Sequence, residues 1–67
     1  MDSEEYNVKM SMINQRMEQI SQLTANMAFA NTANPSNPEF VALLKNQDDL
    51  IKAADRLIYA MQNQEDL

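Results

Sequence analysis

Two seven-residue patterns of apolar residues, separated by one proline-containing turn, constrain the fold of this chain more than any other feature. The first pattern, here the first seam, steps by four and three residues: Tyr6, Met10, Ile13, Met17, Ile20, Thr24 and Met27. The second seam steps by three and four: Phe40, Leu43, Gln47, Leu50, Ala54, Leu57 and Met61. Spacings of three and four place side chains on one side of an α-helix, where they pack against another helix. The sequence therefore predicts two helices that pack through their seams.

The turn over residues 34–38 fixes where one helix ends and the next begins. Pro35 and Pro38 lack an amide donor and restrict the residue before them, so the first helix must end upstream of both. Two start signals for the second helix follow. One is an Asn37 cap with Pro38 at the first helical position, and the other is the capping-box spacing of Ser36 to Glu39. A connection this short makes the two helices antiparallel neighbours.

These signals predict an all-α fold, a two-helix antiparallel αα-hairpin with coiled-coil-like packing. We expect one domain over residues 1–67, with helices over about 4–30 and 38–63. Asp2 or Ser3 is suited to cap the first helix. The polar tail over residues 62–67 is expected to fray. Because the chain contains no glycine, the turn must be built from the backbone geometry of Asn and Pro.

A further line of apolar residues runs beside the second seam and widens the apolar side of the second helix. This apolar stripe consists of Val41, Leu44, Ile51, Ile58 and Tyr59. One facing helix covers one seam but hardly both lines, so the stripe is predicted to bind a partner. The internal seam is then expected to include Ile13, Ile20, Leu43, Leu50 and Leu57. The sequence leaves two alternatives open: the two roles exchanged, or a first helix that shields both lines with help from Leu23 and Phe29.

Composition argues against catalysis and against several kinds of ligand. With no Cys and no His, the chain offers no disulfide and no zinc site of the usual kind. With no Gly, it has neither a phosphate-binding loop nor a calcium loop. Its five cations are scattered among acids at a net charge of −5, which disfavours nucleic acid and anionic membrane surfaces. We therefore expect no enzyme activity, no cofactor and no metal.

The predicted location is the cytoplasm. Residues 1–5 are acidic and lack an apolar segment, so they do not resemble a secretory signal. No run approaches the ~20 apolar residues that a membrane-spanning helix needs, so membrane insertion is not expected.

The second helix resembles that of the small cytoplasmic needle-subunit co-chaperones of bacterial type III secretion, the E component. Those proteins are helical hairpins of about this whole length, with an acidic or polar start and a short turn near the middle. The residues that carry the resemblance are Phe40, Val41, Leu44, Leu50, Ala53, Ala54, Leu57, Ile58 and Tyr59. The resemblance implies a protein that binds an aggregation-prone needle subunit together with a second, larger helical chaperone.

The turn resembles that of the needle subunit itself, whose helices are joined by a Pro-x-Asn-Pro motif followed by aliphatic residues. Pro35-Ser36-Asn37-Pro38 and Phe40-Val41 match this pattern. Needle subunits have a longer second helix than the one available before Leu67, so the co-chaperone is the first expectation. The alternatives are a self-assembling structural subunit, as a needle-like filament or a four-helix dimer of hairpins, and a small inhibitor that acts by helix docking.

Overall fold

The computed structural model describes residues 2–63 and contains two helices, α1 (Ser3–Phe29) and α2 (Pro38–Gln62), which pack against each other. The predicted all-α hairpin is thereby confirmed, and each helix bound lies within one residue of its prediction. Residues 64–67, most of the tail expected to fray, lie outside the described residues. Neither α1 nor α2 contains an apolar stretch long enough to cross a bilayer.

The start of α1 follows its capping signal. Asp2 is the N-cap, and its side chain accepts a hydrogen bond of 2.8 Å from the backbone N–H of Glu5. Glu4 and Glu5 lie in the first turn, where negative charge interacts favourably with the helix dipole. Of the two candidate caps, Asp2 and Ser3, the structure uses the first.

The end of α1 is closed by a Schellman motif in which Asn31 takes the place that glycine usually occupies. Asn31 has a φ of 61°, in the left-handed region that Asn tolerates better than most residues. The backbone N–H of Thr32 donates to the carbonyl of Met27 over 2.8 Å, and that of Asn31 donates to Ala28 over 3.1 Å. These two bonds define the motif and satisfy two carbonyls at the helix end. A chain without glycine thus ends its first helix through asparagine.

Asparagine side chains also organise the turn and the start of α2. Asn37 caps α2 and accepts a hydrogen bond of 3.1 Å from the backbone N–H of Glu39, with Pro38 at the first helical position. The Asn37 amide also donates to the carbonyl of Thr32 over 2.9 Å, which joins the α2 cap to the end of α1. Asn34 accepts from the backbone N–H of Ser36 over 3.1 Å. Of the two predicted start signals, the Asn37 cap is the one used.

The two seams form the contact between the helices, but the core is thin. Every residue of both seams is buried or half-buried, and the buried apolar side chains within residues 2–63 are Ile20, Leu57 and Ala60. The hairpin measures 45 × 16 × 12 Å, with a radius of gyration of 14.9 Å. A compact chain of this length has a radius of gyration of about 11 Å. Its accessible surface of 5077 Å² also exceeds the ~4,300 Å² typical of a folded monomer of this mass.

Candidate partner-binding face

The apolar stripe occupies one flank of α2, next to the second seam. When each seven-residue pattern is written as abcdefg with the seam at a and d, Leu44, Ile51 and Ile58 fall at e. Val41 falls at b and Tyr59 at f, so both extend the stripe away from α1. Position e borders the seam, which is why these side chains touch the edge of the helix contact without entering it.

The structure leaves the whole stripe accessible to solvent. Its five members are between 38% and 61% exposed, whereas the second seam beside them is buried or half-buried. The residues predicted for the internal seam, including Ile20 and Leu57, lie between the helices. The seam therefore lies inside the helix contact, and the stripe lies outside it. That the stripe binds a partner stays a prediction.

The first helix does not shield the stripe. The alternative in which Leu23 and Phe29 help α1 to cover both apolar lines is wrong, because Phe29 is 92% exposed and Leu23 is also exposed. Phe29 lies at f, on the side of α1 that points away from its own seam. Leu23 lies at g, on the flank opposite to the stripe. Both side chains are part of the outer surface of the hairpin.

Small and uncharged side chains from α1 lie beside the stripe. In an antiparallel helix pair, the e positions of both helices border the same groove. On α1 these positions, here called the shelf, are exposed and consist of Asn7, Asn14, Ser21 and Ala28. A helix that packs against the stripe meets no long or charged side chain at these positions. The stripe and the shelf together form the candidate binding face.

The opposite groove of the hairpin has a different character. It is an open depression of about 440 Å³, and Met12, Ile13, Arg16, Gln19 and Leu50 contribute to its lining. The guanidinium of Arg16 donates a hydrogen bond of 3.1 Å to the side chain of Gln19. Sequence reasoning did not single out this groove, although the spacing of Met12, Arg16 and Gln19 places them on one flank of α1.

Charged side chains on the hairpin form short-range pairs along each helix. Lys9 pairs with Glu5 and Lys52 pairs with Asp48, each over 3.0 Å at i,i+4 spacing. Both pairs are exposed, so each contributes only ~0.2–1 kcal/mol to stability. Within residues 2–63 no group of acidic side chains is arranged to hold a metal ion.

Comparisons with known proteins add no relative to this picture. No protein-family model, curated protein or solved structure matches the chain. The role of the binding face therefore has to be inferred from its own residues and from the thin core behind it.

Proposed function

We propose that this chain is a non-enzymatic helical binding module that covers an amphipathic helix of a partner protein with its binding face. The observation that carries the proposal is the exposure of all five stripe residues beside a second seam that is already packed against α1. A groove between two helices that presents apolar residues at helical spacing suits the packing of a third helix, whose own anchors recur at i, i+3, i+4 and i+7.

Covering the stripe has a substantial energetic effect for a domain of this size. Burying a whole Leu or Ile side chain is worth ~1.5–3 kcal/mol, so covering the exposed part of each e-position residue gives ~1 kcal/mol. Leu44, Ile51 and Ile58 together contribute ~3 kcal/mol by this reasoning. A domain of fewer than about 70 residues rarely gains more than ~3–5 kcal/mol from its own core. Partner binding would thus nearly double the apolar stabilisation of the hairpin.

The more specific proposal is a type III secretion needle-subunit co-chaperone that acts in the cytoplasm together with a second, larger helical chaperone. It is supported by the resemblance of the second helix and by a hairpin whose exposed stripe is suited to cover an amphipathic helix of a client. In such a complex the stripe would hold apolar residues of the needle subunit away from solvent and slow its premature polymerisation.

Co-expression with a type III needle subunit and its larger helical chaperone tests this function. We expect the hairpin to keep the needle subunit soluble and to elute with it on a sizing column. Ile51→Asp combined with Ile58→Asp should leave the isolated hairpin helical and abolish this co-elution. Met12→Asp combined with Leu23→Asp adds the same two charges on the flank opposite to the stripe, so it is the matched control and should co-elute as the unaltered chain does. A needle subunit that stays soluble with the stripe variant would contradict the proposal.

Self-assembly is the second candidate, and two observations favour it: the exposed stripe and the needle-like turn of Pro35-Ser36-Asn37-Pro38. A second copy would cover the stripe in a four-helix dimer, and repeated contacts would give a filament. Sedimentation of the isolated chain separates the two functions. A concentration-dependent dimer or polymer that Ile51→Asp dissolves would favour self-assembly over partner binding.

A further inference from the structure

Charges are distributed unevenly around the hairpin, and the edges of the groove between the stripe and the shelf carry only carboxylates. The b positions lie on the outer edges of the binding face, and on α1 and α2 they include Glu4, Glu18, Asp48 and Asp55, all exposed. The five cations of the chain lie instead at positions c, f and g: Lys9, Arg16, Lys45, Lys52 and Arg56. The e-position line of the stripe is thus bordered by carboxylates on both helices, and neither the e positions nor the b positions carry a cation.

Pairing within the hairpin neutralises only part of this acidic border. Asp48 pairs with Lys52, which lies at f, farther from the e-position line of the stripe than Asp48 does. Within residues 2–63, neither Glu18 nor Asp55 lies within ion-pair distance of a cation. A helix lying in the groove between stripe and shelf therefore has one carboxylate border from α1 and another from α2. Like charges brought close to these borders would be repelled, and cations would be attracted.

The same border disfavours a second copy of the chain as the occupant of the face. In an antiparallel two-fold dimer centred on Ile51, Leu44 of one copy lies level with Ile58 of the other. The b positions of both copies then share one flank, so Asp48 of each copy approaches Asp55 of its mate. Such a dimer gathers four carboxylates beside a partly desolvated apolar contact, where like charges are costly. A partner with basic borders meets no such penalty.

We propose that the occupant of the binding face is an amphipathic helix of another protein, with Lys or Arg on both sides of its apolar seam. This inference rests on the proposed function, and it adds the chemistry by which the partner is recognised. The stripe supplies apolar contact, the shelf allows close approach, and the two acidic borders select the charge of the helix. Selection by charge acts on the association rate and on specificity more than on the apolar contact itself.

Three synthetic helical peptides test this inference. All share one Leu seam and one length, and they differ only in the residues that border the seam on each side, which are Lys, Gln or Glu. Binding of each labelled peptide to the full chain is measured by fluorescence anisotropy at low and high salt. We expect the Lys peptide to bind roughly tenfold more tightly than the Glu peptide, with the difference shrinking at high salt.

Two matched variants separate local recognition from the attraction of any cation to an acidic protein. Asp48→Asn with Asp55→Asn should reduce the preference for the Lys peptide severalfold. Asp49→Asn with Glu39→Gln removes the same charge at c and g positions of α2 and should leave the preference unchanged. Equal effects of the two double variants would overturn the inference, because they would indicate non-specific attraction.

The remaining outcomes distinguish this inference from the proposed function. Equal binding of the Lys and Glu peptides, lost in Ile51→Asp, overturns the charge preference and leaves helix binding in place. Binding that Ile51→Asp does not weaken, or no binding by any peptide, overturns both. Circular dichroism confirms that each variant keeps its helices, and Ile51→Ser replaces Ile51→Asp if the carboxylate reduces helicity.

Discussion

Truncating Ile20 and Ile51 to alanine gives two variants with identical chemistry at opposite extremes of burial. Ile20 lies in the first seam and is 1% exposed, whereas Ile51 lies in the stripe and is 44% exposed. Both residues are inside helices, so the change in helix propensity is the same at both sites. The difference in stability between the variants therefore measures how much more Ile20 contributes to the core of the hairpin than Ile51 does.

The expected magnitudes differ severalfold. Removing a fully buried Ile costs ~2–5 kcal/mol, because the lost apolar contact is joined by a cavity. Ile51 keeps just over half of its burial in the isolated hairpin, and its site is open, so truncation costs ~1 kcal/mol, partly offset by the ~0.4 kcal/mol better helix propensity of alanine. Since the core of such a domain supplies ~3–5 kcal/mol in all, Ile20→Ala should leave little folded protein.

Urea titration followed by far-UV circular dichroism measures both variants against the unaltered chain. We expect a clear loss of stability, or complete unfolding, for Ile20→Ala and a small shift of the midpoint for Ile51→Ala. Equal losses would contradict an exposed Ile51, because they would mean that this side chain is buried in solution, either in a rearranged hairpin or in an oligomer. The test needs no partner and can be done on the isolated chain.

Substitutions at three further sites examine the helix ends and the surface. Asn31→Ala should destabilise the hairpin by ~1 kcal/mol, because alanine lacks the short polar side chain that lets asparagine tolerate positive φ. Asn31→Gly should be nearly neutral. Thermal melts compare the two, and a neutral Asn31→Ala would contradict the left-handed end of α1. Asn37→Ala should lower the free energy of unfolding by ~1 kcal/mol because it removes the α2 cap. Urea titration measures this loss, and an unchanged midpoint would contradict it. Asp48→Asn should change the free energy of unfolding by less than ~1 kcal/mol, because its pair with Lys52 is exposed. A larger loss in the same titration would show that the pair is structurally important.

The fold was predictable from the sequence because local and long-range signals agree. The two seams specify helices and their contacting sides, and the prolines restrict where α1 and α2 end and begin. The Schellman motif at Asn31 was not predicted in detail. With no glycine in the chain, the usual marker of a left-handed helix end is missing, and Asn31, Asn34 and Asn37 were equally plausible candidates for special geometry.

The stripe was predictable in its residues, whereas its exposure was only one of the alternatives that the sequence left open, and the shelf was not predicted. Seven-residue spacing identified Leu44, Ile51 and Ile58, yet spacing alone does not say which of two adjacent lines faces the other helix. That choice depends on how α2 is rotated about its own axis. The small side chains of Ala53 and Ala60 at the g positions allow α1 to approach that flank closely, which turns the e positions outward. The acidic borders were not predicted, because it is the antiparallel packing of α1 and α2 that brings the b positions of both helices to the edges of the same groove.

If another protein fills the binding face, the isolated chain should leave that face open and stay monomeric. Light-scattering mass on a sizing column, measured over a wide concentration range alongside far-UV circular dichroism, tests this expectation. We expect a helical, weakly stable particle whose mass stays near the 7.7 kDa of one chain. A stable dimer at the lowest concentration, or a mass that grows into a polymer, would show instead that the chain fills this face itself.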